Sequence, residues 1–328
     1  MTDLKTTYMG IPLSSPLVVA ASSISSQIDR VQRAEQAGAG ALVIRSLFEE
    51  QIQIARLHLE EELSVGAYSQ PEARSYFPKI EHGGASEHLM WIEKTRKAVK
   101  MPLIASLNAV SIDGWTGYAR QLEGTGVDGL EVNLYSVAAD PARTGAAIEQ
   151  QQFAIVEAVR AEVKIPLAVK LSSSYTSVAH VAGEFARRGA DALVLFNRFL
   201  QPGIDPETET LVSEMALSSP QELRVPLRWV ALLYGRVQAD LALSTGVHSG
   251  LDAAQALLAG ATVVQTASAL LEHGIPYLST MLRELEGWMQ ARGYADPAAL
   301  RGRLSQKHAP DPFLFERAQY VNLLLRQQ

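Results

Sequence analysis

Short apolar runs rich in Val, Leu, Ile and Ala recur along the chain: PLVVAA (16–21), ALVIRS (41–46), LIASLN (103–108), GLEVNL (129–134), LAVKLS (167–172), ALVLFN (192–197), DLALST (240–245) and TVVQTA (262–267). Runs of this length, bounded by turn residues, read as buried strands. Between them lie segments with helical periodicity; QIDRVQRAEQAG, VAHVAGEFARRG and LDAAQALLAG each end on a glycine that stops a helix. The alternation predicts βα units around a parallel sheet, and eight of them predict a closed α/β barrel, the (β/α)8 TIM barrel, as one domain over residues 1–328. A doubly wound open sheet also alternates, but it places a glycine-rich phosphate loop after its first strand, and AASSIS is not one.

Two stretches break the spacing. After the second run, residues 47–102 carry an acidic helical piece, EEQIQIARLHLEEEL, and a polar stretch, SQPEARSYFPKIEHGG. An insertion of that length after a barrel strand lies on the catalytic face, where it is expected to form an active-site lid or pocket wall. A smaller insertion after the sixth run, residues 198–220, is expected to cross the same face or to provide the contact of a homodimer.

Composition narrows the classes of function. A chain of 328 residues that is 47% hydrophobic buries a large core. Its net charge of −6 and the lack of any Lys/Arg stripe argue against nucleic acid as a partner. No apolar stretch approaches the roughly 20 residues that span a bilayer, and MTDLKTTYMG lacks the order of a signal peptide, so a cytoplasmic protein is expected. The absence of cysteine rules out thiolate-held zinc, iron–sulfur clusters and a cysteine nucleophile within this chain. The seven histidines are scattered without ligand spacing, and no metal site is expected.

Chemistry in such a barrel lies at the C-terminal ends of the strands. The residues there are Ser22 and Ser23, Arg45 and Ser46, Ser106 and Asn108, Asn133, Lys170, Asn197, Ser244 and Thr245, then Ala267 and Ser268. Amides, hydroxyls and one lysine suit the polar edge of a planar heterocycle. Lys170 is costly to bury unless it faces an anion, developing negative charge or a structural carboxylate. STGVHSG and TASA, after the seventh and eighth runs, are small-residue turns able to aim backbone N–H groups at a phosphate. Together these features point to a phosphate-bearing redox cofactor.

With these residues placed, the chain resembles the soluble class of the dihydroorotate dehydrogenase family over nearly its full length. LEVNLYS is similar to that family's E-L/V-N-L-S-C, which puts Asn133 at the flavin and substrate amide and Ser136 at the catalytic base. LAVKLS puts Lys170 at the lysine facing the flavin N1 and O2 edge, and LFNRFLQPGID puts Asn197 at a substrate amide. STGVHSGLDA resembles G-T-G-G-I-x-T-G-x-D-A, GATVVQTASAL resembles G-A-T-x-x-Q-I-G-T-A-L, and AQAGAGALVIRS resembles the stretch that offers a lysine and serine, here Arg45 and Ser46. The resemblance implies FMN as cofactor, held by Ala21, Ser22, Arg45, Ser46, Asn108, Asn133, Lys170, Ser218, Thr245, Gly246, Ala267 and Ser268. It implies Ser136 and Lys170 as catalytic residues and Asn133, Asn197 and the neighbouring Arg198 as substrate contacts, with Arg198 equally readable as a solvent-exposed loop charge.

The implied activity is oxidation or reduction of a CH–CH bond in dihydroorotate or a related small acidic or heterocyclic substrate, with a further electron acceptor for which a partner protein is one candidate. The departures are specific. The substrate loop N-S-M-G-L-P-N is replaced by EARSYFP (72–78), the asparagine two residues beyond the base is Ala138, and two phosphate glycines are Thr245 and Ala267. Two other readings of the residues stay open: a Schiff-base aldolase barrel using Lys170, and a flavin-holding electron-transfer subunit with no substrate of its own.

Overall fold

The computed structural model describes residues 2–50, 85–134, 137–198, 201–212, 216–316, 320–321 and 324–325. A short antiparallel hairpin opens the chain, β1 (Thr6–Tyr8) and β2 (Ile11–Leu13). There follow β3 (Leu17–Val19), β4 (Ala41–Val43), β5 (Leu47–Phe48), β6 (Leu103–Asn108), β7 (Gly129–Asn133), β8 (Leu167–Leu171) and β9 (Ala192–Leu195). A second hairpin, β10 (Gly203–Asp205) and β11 (Thr210–Val212), precedes β12 (Asp240–Ser244) and β13 (Val263–Thr266). The eight predicted runs supply β3, β4, β6, β7, β8, β9, β12 and β13, all joined in parallel. β13 pairs with β3 and β4 with β6, so the sheet closes into a (β/α)8 barrel.

The intervening helices are α1 (Ile28–Gln36), α2 (Ala85–Ala98), α3 (Ile112–Gly124), α4 (Gly145–Glu162), α5 (Val178–Arg187), α6 (Arg224–Leu233), α7 (Gly250–Ala259), α8 (Ser268–His273) and α9 (Tyr277–Ala291). Among the described residues, no helix is long and apolar enough to cross a membrane.

Side chains alternate across a strand, and this places the core and the site together. Leu130 and Val132, Leu167, Val169 and Leu171, Leu193 and Leu195, and Leu241 and Leu243 pack outward under the helices. The inward positions nearest the strand starts carry Val18, Ala41, Val43, Ile104, Ala168, Ala192, Val194, Ala242 and Val263, packed around Tyr8 and Met9. The hairpin therefore fills the bottom of the barrel, and the alanines leave space for the Tyr8 ring. Asp240 fixes the hairpin, its carboxylate accepting the Met9 N–H at 2.8 Å and the Thr262 hydroxyl at 2.9 Å. Strands of three residues with a proline at Pro12 carry almost no period-two signal, which is why the sequence does not announce this plug.

Of the lid expected over 47–102, residues 51–84 lie outside the described part. Its near end is bolted to the barrel rim. β5 pairs with the end of β6, and Glu49 accepts N–H bonds from Val110 (2.6 Å) and Ser111 (3.0 Å) and the Ser111 hydroxyl at 2.8 Å. The second insertion contains the β10–β11 hairpin, whose cross-strand pair Ile204 and Leu211 is exposed.

Helix α2, which closes the first insertion, buries His88 to 3% exposure, with Nε2 lacking a hydrogen-bond partner. Burial, and secondarily the charge of Arg45, lowers its pKa to about 4 from the ordinary 6.5. A histidine depressed in this way contributes stability that is fully present above pH 6.5 and drains as acid protonates the unfolded chain first, down to about pH 4. His88→Met, which cannot ionise, should therefore lose less stability between pH 7 and pH 4 than the parent, by about 3 kcal/mol. Urea melts across that range check this; parallel pH profiles for the two proteins would overturn it.

Candidate active site

Above the apolar layer the inward positions turn polar: Ser106 and Asn108 on β6, Glu131 and Asn133 on β7, Lys170 on β8, and Gln265 on β13. They share the parity of the alanine layer, two or four residues further along each strand. Burying so many polar groups at one level costs free energy unless they are partnered or meet a ligand.

The partners are few. Asn197 Nδ2 donates to Asn133 Oδ1 at 2.6 Å, joining the ends of β7 and β9. Ser46 and Ser106 share a hydrogen bond of 2.8 Å. Gln265 Nε2 donates to Glu131 Oε2 at 2.8 Å, and Lys170 Nζ lies 3.6 Å from Glu131 Oε1. Asn108 is buried, and its Nδ2 has no partner among the described residues. Of the two roles open to Lys170 in the sequence, the carboxylate is thus present, yet at a distance too long for a hydrogen bond. Among the described residues its ammonium donates no hydrogen bond.

A second group of predicted residues gathers where β12 and β13 end. Thr245 and Gly246 both take left-handed backbone, with φ of 83° and 76°. At Gly246 a Cβ would stand 2.2 Å from the Leu223 nitrogen, so only glycine fits. Thr245 bears the strain of its φ while its hydroxyl donates to the Phe196 carbonyl at 3.3 Å. Gly246 N–H donates to Ser218 Oγ at 3.3 Å; Ser218 donates from Oγ to Ser268 Oγ at 2.9 Å and from its backbone N–H at 3.0 Å. Ala267 sits at the start of α8, immediately before Ser268. The His248 and Ser249 amides point instead at Asp252, which closes a capping box on α7.

The remaining predicted residues lie around this rim. Ser22 caps a short 3-10 turn over Ser23–Ser26, next to half-buried Ala21. Ser25 links that turn to the neighbouring strand end by accepting the Arg45 N–H at 2.9 Å, which leaves the half-buried Arg45 on the rim. Arg198 is exposed. Its guanidinium donates to Glu222 at 2.8 Å and to the Ala216 and Leu217 carbonyls, so it braces the second insertion. Ser136 lies outside the described residues, and Ala138 is exposed. Among the described residues, no group of three or more His, Cys, Asp or Glu side chains is placed to hold a metal ion.

Glu131, Gln265 and Tyr8 are part of this interior and were not singled out by the sequence reading. Parity was the available signal for Glu131, which stands two residues before Asn133 and so must face the same way.

Known proteins resemble this chain over much of its length. The sequence model of the dihydroorotate dehydrogenase family matches residues 80–289. The dihydroorotate dehydrogenase B (NAD(+)) catalytic subunit of Methanothermobacter thermautotrophicus is 29% identical over 300 residues, 89% of this chain and 95% of its own. The protein of the same name from Thermoplasma volcanium is 26% identical over 319 residues, 90% and 94% of the two chains. Dihydroorotate dehydrogenase A (fumarate) of Lacticaseibacillus paracasei is 28% identical over 207 residues, 61% of this chain and 70% of its own. With the barrel and the matched segment in agreement, the chain belongs to the dihydroorotate dehydrogenase family, a family of oxidoreductases.

Proposed function

We propose that this chain is an FMN-dependent dehydrogenase acting on a CH–CH bond of dihydroorotate or a related small acidic or heterocyclic substrate. The observation that carries this is the pairing, at one barrel mouth, of Lys170 and the Asn133–Asn197 amides with the Ser218–Gly246–Ser268 cluster. One set suits a polar ring edge and the other a phosphate. The residues fit FMN on one further count: the buried Asn108 Nδ2 is a donor without an acceptor among the described residues.

In this reading Ser218, Thr245, Gly246, Ala267 and Ser268 hold the phosphate. Ala21, Ser22, Arg45, Ser46, Asn108, Asn133 and Lys170 surround the ring. FMN, when bound, supplies the hydride acceptor. Lys170 places positive charge where negative charge accumulates on reduction, and Asn133 and Asn197 orient the substrate, with Arg198 at its outer edge. Ser136 takes the substrate proton. A serine is a weak base without a relay, and Asp140, exposed in the same loop, is committed to the Ala142 N–H at 2.9 Å. Lys170 stands among the amides that suit a ring edge, which favours the flavin reading over the Schiff-base one. The names of two relatives include a catalytic subunit, which supports a second protein as electron acceptor. The exposed Ile204 and Leu211 support the homodimer reading of the second insertion.

Titration of the apoprotein should show FMN binding well above riboflavin, with Ser268→Ala narrowing that gap by about tenfold to a hundredfold, as expected for a hydrogen bond to a charged group. Equal affinity for the two flavins in the parent would overturn the phosphate assignment.

Dihydroorotate should be a poor reductant of the bound flavin. The loop asparagine is absent and Ala138 cannot replace the second amide, and two lost hydrogen bonds of roughly 0.5 to 1.5 kcal/mol each slow reduction by about tenfold to a hundredfold. Anaerobic stopped flow, comparing dihydroorotate with other dihydropyrimidines and saturated acids, measures this. Fast, saturable reduction by dihydroorotate alone would refute it.

A further inference from the structure

Glu131 is 1% exposed, and none of the roles above uses it. Gln265 anchors one carboxylate oxygen at 2.8 Å, while the other, Oε1, has no hydrogen bond and faces Lys170 Nζ at 3.6 Å. A pair that existed only to hold two strands together would close to direct N–H···O contact, because charge-assisted hydrogen bonds are short and strong. This one stays open, and Lys170 lies in register with Asn133, two residues nearer the mouth than Glu131. Below it, Tyr8 is fully buried and its hydroxyl has no partner; burial, then Glu131 and Asp240, push its phenol well above the usual range, so it stays neutral and offers no counter-charge. Lys170 and Glu131 face each other at 3.6 Å, with Lys170 the nearer of the two to the strand ends.

We propose that Glu131 is a positioning residue that acts on the cofactor through Lys170. This rests on the FMN reading above. With an uncharged oxidised ring above it, a lone ammonium would be left uncompensated in a dry interior; Glu131 supplies the missing charge. Reduction of FMN bound there would bring a second negative charge, and Lys170 would then be shared between that charge and Glu131. Glu131 thus holds the reduction potential below the value that an unopposed lysine would set.

The two charges have opposite signs, so their removal has opposite effects. Sulfite, an anion that adds reversibly to oxidised flavin and leaves negative charge on the ring, reads this without turnover. In the FMN-loaded protein, Glu131→Gln should tighten sulfite binding by about tenfold and raise the flavin potential, while Lys170→Met should weaken it by about tenfold or more and lower the potential. The double variant should return to within about threefold of the parent. Melts of the apoproteins give a readout free of cofactor: each single variant should melt below the parent, and the double variant should recover part of the loss. If Lys170→Met does not fold, Glu131→Gln against the double variant measures the same lysine charge.

Shifts in the same direction for the two single variants, no shift at all, or melting losses that simply add would overturn the inference while leaving FMN binding intact. A parent chain that takes up no FMN would overturn the cofactor reading and this inference with it.

Discussion

A closed barrel of eight parallel strands has a narrow interior, and each level of it must be filled from within. In this protein the requirement is met differently at its two ends. At the bottom, small side chains such as Ala41, Ala168, Ala192 and Ala242 leave a hollow that Tyr8 and Met9 occupy from outside the barrel. One level higher, the fill is Ser106, Glu131, Lys170 and Gln265, and the groups that complete the packing are also those that carry charge and donors to the mouth. Site and core are one column of side chains, so the site inherits the rigidity of the barrel wall.

That shared column explains which features could be read from the sequence. The eight strands were legible because a strand buried on both faces is a continuous apolar run, and β6 fills its predicted span, Leu103–Asn108, completely. Asn133, Lys170 and Asn197 were legible because polar residues stand out at the ends of such runs. Glu131 was hidden in the middle of one, where its side of the strand mattered more than its identity. The Tyr8–Met9 plug gave no signal because its strands are too short for a period, and its function depends on space created by alanines far along the chain. Arg198 shows the same limit from the other direction: the sequence places it beside Asn197, whereas its partners, Glu222 and the carbonyls of Ala216 and Leu217, return from the far side of the insertion.

The cluster around Ser218 brings three separate loops to one point. Ser218 comes from the insertion after β9, Gly246 from the turn after β12, and Ser268 from the start of α8. Thr245 keeps its left-handed backbone although it is not glycine, held by its own hydroxyl on the carbonyl of Phe196. The strain is local, and the surrounding backbone leaves no other course: Gly246 already touches Leu223 as closely as a residue without Cβ permits.

The way the plug is fastened also bears on how the chain becomes a barrel. Met9 is made 231 residues before Asp240, whose carboxylate receives the Met9 amide, and β3 obtains its second neighbour only when β13 exists. Until β13 has been made, the nascent sheet has an open edge and its hollow has no fixed floor. Local βα units form early, whereas closure is a late event between the two ends of the sequence, and contacts of such high separation slow the final step. A truncation that removes β13 would leave no smaller barrel behind, only an open sheet with β3 exposed along one side.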